Sequence, residues 1–373
     1  MRCFTAIAAL LLLSSVCSRL AWADNVSPNV NRPSVQYTIA DLGSIGGLLI
    51  TPSAINDLGQ VVGSSQFPDG TTQAFLWQKG KITPLKSIQG DQTSVATAIN
   101  NKGQIVGVSR HTAGAIHGVL WDKGSAINLG SLGSGSRDGG SVTAINDAGQ
   151  ILVNEVTYLN NNDTIVAQLD PAQKRVRVLL CTINGLQGGK LLGQSILLGQ
   201  GITVGIAISH EGVIIGYQYD PQTKHLHGCL WKDGVVTALG NFYPSAINAK
   251  GQIAGTLRNG PRQVPTAAFW QNGIVTPLHF SGSSQTRGIA LNDKEEILGV
   301  TDLVADVSAP HAALLWKDGH SANLSSSLLP KGEWTMMQPT AINNLSQIVG
   351  YGLHKGKVSA FLMTPATAGI KPS

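Results

Sequence analysis

Short apolar runs, each broken within a few residues by Gly, Asn or Asp, set the pattern of this chain, and they recur. Ala54-Ile55-Asn56-Asp57-Leu58-Gly59-Gln60-Val61-Val62-Gly63 returns with small changes from Ala98, Ala144, Ala207, Ala246, Ala290 and Ala341, at steps of 44, 46, 63, 39, 44 and 51 residues. Periods of that size mark a repeat architecture. A second block follows most copies. It reads Ala74-Phe75-Leu76-Trp77-Gln78-Lys79-Gly80 in the first module and Gly118-Val119-Leu120-Trp121-Asp122-Lys123-Gly124 in the second. Later versions end in Trp231-Lys232-Asp233-Gly234, Trp270-Gln271-Asn272-Gly273 and Trp316-Lys317-Asp318-Gly319. A segment closing in Leu comes next, at Leu85, Leu129-Gly130, Leu239-Gly240, Leu278 and Leu324.

These blocks predict four strands per module. Ala-Ile-Asn ends strand a, and Asn with the Gly three residues later makes a tight turn. Gln-Ile-Val-Gly forms strand b, Phe-Leu-Trp forms strand c, and Trp-x-x-Gly turns into strand d, the Leu-Gly segment. Strands b and c are apolar on both faces. An antiparallel sheet of that kind needs a neighbour on each side, as the blades of a β-propeller have. A β-solenoid also buries its sheets, but hairpin signals argue against its parallel coil. Closure is legible at the ends. The last module has Ala341-Ile342-Asn343, Gln347-Ile348-Val349-Gly350 and Ala360-Phe361-Leu362, then stops at Pro365 without a strand d. Tyr37-Thr38-Ile39-Ala40-Asp41-Leu42-Gly43 looks like a strand d without its own module. The expected fold is all-β: a seven-bladed β-propeller of four-stranded antiparallel blades, with the N-terminal strand closing the last blade and removing two open sheet edges.

The Ile-Asn-x-x-Gly-Gln-Ile-Val-Gly block followed by a Leu-Trp strand resembles the bacterial extracellular HAF repeat family over roughly residues 37–364. The nearest forms of the His-Ala-Phe triplet are Gln73-Ala74-Phe75, His117-Gly118-Val119 and His227-Gly228-Cys229. The resemblance implies export and a repeat fold, and no reaction. The third module departs most, with Leu152-Val153 in place of Val-Gly and Gln168-Leu169-Asp170 in place of Phe-Leu-Trp.

Composition agrees with a turn-rich β protein: 42% hydrophobic residues, 13% charged and 44 glycines. Residues 1–23 read as a signal peptide. Arg2 opens it, Phe4 to Val16 is apolar, and Ala21-Trp22-Ala23 offers small residues where a signal peptidase reads. The apolar run is shorter than the roughly 20 residues a membrane span needs. The expected division is 1–23 signal, 24–36 linker, 37–365 propeller and 366–373 tail, in an exported monomer, extracellular or periplasmic. Cleavage removes Arg2 and Arg19 and no acids, so the formal charge falls from +5 to +3, too little to argue for nucleic acid. Cys181 and Cys229 stay in the mature chain, either pairing or as buried thiols.

Candidate chemistry is sparse. Trp77, Trp121, Trp231, Trp270 and Trp316 share one repeat position and read as packing residues. Trp334 and Phe242-Tyr243 fall in connections from strand d to strand a and are the candidates for ligand stacking. The b–c and d–a connections vary in length while the a–b and c–d turns do not, and varied loops on a rigid scaffold carry recognition. Arg110, Arg258 and Arg262 give the b–c loops a weak basic character and complete the candidate ligand-binding set. His117 and His227 recur at the start of strand c and read as repeat-structural, since metal ligands must converge within about 2 Å of one ion. Gly185 to Lys190 lacks P-loop spacing, and Gly-x-Ser-x-Gly is absent. No cofactor or metal is expected. The expected function is a non-catalytic binding scaffold for a protein or glycan at the cell envelope. The alternative is a carbohydrate-active hydrolase or lyase at the channel mouth on the variable-loop face.

Overall fold

The computed structural model describes residues 35–366 apart from 113, 132–139, 159–173, 188–189, 198–203, 221, 224, 260–263, 281–284, 302–311 and 330–332. The expected signal peptide, the linker to residue 34, the tail from 367 and Arg262 lie outside the described residues.

The chain is an all-β propeller of four-stranded antiparallel blades. Six sheets have four strands each, in strict sequence order, over residues 49–84, 91–131, 141–197, 204–238, 242–277 and 286–323; they are blades 1 to 6 below. The remaining sheet differs from the expected four strands by having five. In it Tyr37–Asp41 lies between the two-residue strand Leu328–Leu329, which it pairs in parallel, and Lys357–Pro365, which it pairs antiparallel; Ile348–His354 and Trp334–Ile342 follow. This is the closing sheet. Its register sets Thr38 opposite Thr364 and Asp41 opposite Phe361, so the first described strand is hydrogen-bonded to the last.

The repeat's apolar doublets explain the packing. Successive strand residues point to opposite faces. Val61 therefore enters the cluster with Val349, Ala360 and Leu362 of the closing sheet, while Val62 enters the one with Ala96, Ile105 and Trp121 of blade 2. Every other seam is filled likewise, for example Val106 with Ile151 between blades 2 and 3, and Leu298 with Phe361 between blade 6 and the closing sheet. A fully buried Val, Leu or Phe contributes about 1.5–3 kcal/mol, so each blade is stable only between two neighbours.

Three details depart from the sequence reading. Asn56 lies just past strand a (Leu49–Ile55), not at its end. In blades 1, 4, 5 and 6 strand d stops before its Leu: Lys81–Pro84, Val235–Ala238, Ile274–Pro277 and His320–Asn323 precede Leu85, Leu239, Leu278 and Leu324, and the N–H groups of the first three leucines still donate to strand-c carbonyls. In blade 3 the third strand is Lys174–Gln187, not the expected 168–170, which lies outside the described residues. The recurrent Gly of strand b has a steric cause. A bulge between Ala96 and Ala98 brings the Val95 carbonyl to 2.0 Å from where a Cβ on Gly107 would stand, and Gly63 meets Thr51 O at 2.1 Å in the same way.

Candidate functional site

The strand-a ends and a–b turns gather at one end of the ring. Asn56 is 4% exposed and its amide is fully engaged. Its Oδ1 accepts the backbone N–H groups of Leu58 and Gln60 at 3.1 and 2.9 Å, while Nδ2 donates to Gln60 Oε1 at 2.7 Å and to the carbonyl of Asn100 at 3.0 Å. That last bond crosses to the next blade. Asn100 reaches Asn146 O and Asn146 reaches Ser209 O; beyond that, Asn248 reaches Asn292 O, Asn292 reaches Asn343 O, and Asn343 returns to Asn56 O at 2.9 Å. Ser209, in place of the amide, accepts only Val213 N–H through its hydroxyl.

A second polar belt lies one residue on. Asn101 Nδ2 bridges Asp57 and Asp147 at 3.2 and 3.0 Å, and Asn344 Nδ2 bridges Asp57 and Asp293 at 3.1 and 2.8 Å. His210 and Ala249 interrupt the alternation. These belts surround an axial cavity of about 360 Å³ that opens on the a–b end. Its asparagine amides and aspartate carboxylates are committed to one another, so the cavity is first a consequence of how the ring is tied.

The b–c and d–a connections fall at the opposite end, because successive strands run in opposite directions. The sequence-predicted residues divide there. Trp334 and Phe242 lie in strands, Trp334–Ile342 and Phe242–Ile247, and are 4% and 0% exposed. The Trp334 indole stacks on His354 at 4.5 Å and meets Phe361 edge-on at 5.5 Å, so both its environment and that of Phe242 are filled by the protein rather than open to a ligand. Tyr243 and Arg258 are brought together, with the guanidinium carbon 5.4 Å from the ring centroid. Tyr217 of blade 4 joins them, its ring centroid 6.0 Å from that of Tyr243 and its hydroxyl donating to Pro244 O at 3.3 Å. Burial first, then the neighbouring Tyr243, raises the Tyr217 phenol above its ordinary range, with Arg258 opposing. Arg110 ends up half-buried near the top of blade 2, away from this group in the fold's order.

Blade 2 holds another polar cluster at this end. The buried Asp91 accepts from the Ser109 hydroxyl and pairs with His117 Nδ1 at 2.9 Å through the same oxygen, while its Oδ1 has no partner. His117 is thus held by a carboxylate, which its repeat position alone did not disclose. Asp41 and Glu333 flank His354 at 3.0 and 3.6 Å in the closing sheet. The five repeat tryptophans pack as expected; Trp121 and Trp316 also donate to Lys86 O and His279 O. Cys229 is a free buried thiol, pushed up to about 11 by burial.

No family model matches the chain, and no curated protein matches it. Solved structures do. The β-propeller domain of the trilobed protease from Pyrococcus furiosus, described as having an open velcro topology, matches at TM-score 0.55 and 8% identity over 89% of this chain and 96% of that one. The fold is a β-propeller. An acylaminoacyl peptidase from Pyrococcus horikoshii matches at TM-score 0.55 and 12% identity over 81% of this chain. This chain spans about half of that peptidase, 49% of its length. Identities this low speak for the fold alone. Among the described residues no helix is long and apolar enough to cross a membrane.

Proposed function

We propose that the protein is an exported, monomeric, seven-bladed propeller, the closing sheet being its seventh blade, that binds a protein or glycan partner at the cell envelope through its b–c/d–a face. Export rests on residues 1–23 and on the resemblance to the extracellular HAF repeat family. One observation carries the choice of face. The a–b end commits its amides and carboxylates to the ring itself, whereas Tyr217, Tyr243 and Arg258 stand at the other end in an arrangement that, among the described residues, no other blade repeats. Connections there range from the two-residue turn Lys355-Gly356 upward, and length variation on a rigid frame suits recognition. The test replaces loops 67–71 and 112–115 with Asn-Gly turns, with a c–d turn exchange as control, and measures binding on a glycan array. Loss in the b–c variants alone supports the assignment, and full retention overturns it.

A second reading, hydrolysis or elimination on envelope carbohydrate at this face, is favoured by His117. A carboxylate on Nδ1 leaves Nε2 as the acceptor, which is the arrangement of a general base. Turnover of a bound glycan that His117→Ala abolishes without loss of binding would establish it.

A further inference from the structure

The repeat supplies its own control for what the architecture needs. The residue five before the Asn position of strand a is Thr51, Val95, Ser141, Val204 and Gln338 in five sheets, but Tyr243 in blade 5 and Arg287 in blade 6. The residue after the recurrent strand-b Gly is Ser64, Val108, Thr256 and Val300 in blades 1, 2, 5 and 6, but Tyr217 in blade 4 and Tyr351 in the closing sheet. Small or aliphatic side chains satisfy the packing at both positions in blades 1 and 2, and among the described residues the seam of blades 4 and 5 alone sets a tyrosine at each, so the pair is surplus to the packing. Neither ring is sealed in the core: Tyr217, Tyr243 and Arg258 are all half-buried.

The geometry suits one ligand chemistry. Two phenol rings inclined at 54° offer apolar walls with polar tips. Aromatic faces of that kind pack against the C–H face of a sugar ring while the hydroxyls bond at its edge. Arg258 has no carboxylate among the described residues within ion-pair distance; its charge rests on the Tyr243 ring instead. Stacking fixes the guanidinium plane while leaving its N–H fork available, and that fork matches a carboxylate bidentately. We propose that Tyr217, Tyr243 and Arg258 form a subsite for a carboxylate-bearing sugar residue of a glycan, the tyrosines holding the ring and Arg258 its carboxylate. This rests on the reading that the b–c/d–a face binds, and it names the substrate class for that face.

The experiment is calorimetric titration of the whole protein with a short oligouronate, its carboxyl-reduced neutral form, and an oligoglutamate of the same charge. The subsite requires the oligouronate to bind at least tenfold more tightly than either of the others. It requires Arg258→Met to remove that preference, Arg258→Lys to restore only part of it, and Tyr243→Leu to weaken both sugars, with each variant's unfolding midpoint confirming that it is folded. Equal binding of acidic and neutral sugar, preference for the peptide, no binding of the oligouronate, or an unaffected Arg258→Met would each overturn it. Should Arg258→Met be silent while the b–c loop replacements abolish binding, the subsite fails and the face assignment survives; should both be silent, both fail.

Discussion

In every module but blade 4 one asparagine amide does the work of three separate devices: it closes its own turn, fixes the Gln or Glu ahead of the strand-b apolar run, and ties one blade to the next. Replacing Asn343 by Asp keeps its shape but removes both Nδ2 donors and places a charge where the amide was 4% exposed. Asn343→Asp should therefore cost about 2–3 kcal/mol by denaturant midpoint, while Ser209→Asn, which supplies the missing amide, should be neutral or stabilising. Blade 6 solves the same site with charge. Glu296 stands where five other modules have Gln and blade 4 has Val213, accepts from Asn292 at 2.6 Å, and is met by Lys317 at 2.6 Å. Burial alone would raise the Glu296 carboxyl; the bonds from Lys317, Ser346 and Asn292 outweigh it and hold it below the ordinary carboxylate range. A depressed folded pKa contributes stability above the unfolded glutamate's range, and that contribution is lost as pH falls through the folded value. Lys317→Met should cost about 2 kcal/mol at neutral pH, at the lower end because Lys317 is half-exposed, and should flatten the acid limb of the stability profile. The double change with Glu296→Gln, which restores the module pattern, should recover most of the loss.

At the scale of the element, a bulge in strand a and a glycine in strand b form one unit. Gly107→Ala would put a Cβ 2.0 Å from Val95 O, so strand a of blade 2 must shift or the variant loses roughly 2–3 kcal/mol, read as a lower thermal midpoint. The hydroxyl inside the bulge fills a gap between blades: Thr97 Oγ1 donates to Val142 O at 2.7 Å and Ser245 Oγ to Gly288 O at 2.9 Å. The c–d turns place Lys79, Lys123, Asp233, Asn272 and Asp318 at φ near +50° before a glycine, the two-residue hairpin geometry that Asn tolerates best. Lys79→Asn and Lys123→Asn should each raise stability by about 0.5 kcal/mol, checked by equilibrium unfolding. The strands and turns were legible because both signals are local: the apolar doublet Val61-Val62 demands two buried faces, and Asn56 with Gly59 demands a tight turn. The bulge was not, since Pro52, Ala96 and Val142 give no local sign of irregularity. Nor was the burial of Trp334, because its stacking on His354 and its contact with Phe361 join residues from three strands. Asp91 and Ser109 carry no local sign either: only the sheet brings them to His117.

For the whole molecule, closure decides everything above. The hydrophobic clusters run through each seam in turn, and the closing sheet shares one with blade 6 and another with blade 1. The Asn343 bond to Asn56 O joins the two ends of the repeat at the inner rim, and Tyr37–Asp41 joins them at the outer. If the ring were open, Val349 and Leu362 would lose their partners, and the opposite-face assignment of Tyr243 and Arg258 would have no frame. The most direct measurement is amide hydrogen exchange of residues 357–365 in the native chain and in Ala40→Pro, which removes the N-terminal strand's ladder donor opposite Leu362. The native segment should be protected like the blade cores, and the substitution should expose the amides of Leu362 and Thr364 while blade 3 strands stay unchanged. Equal protection of that segment in both proteins would contradict a ring closed by its first strand.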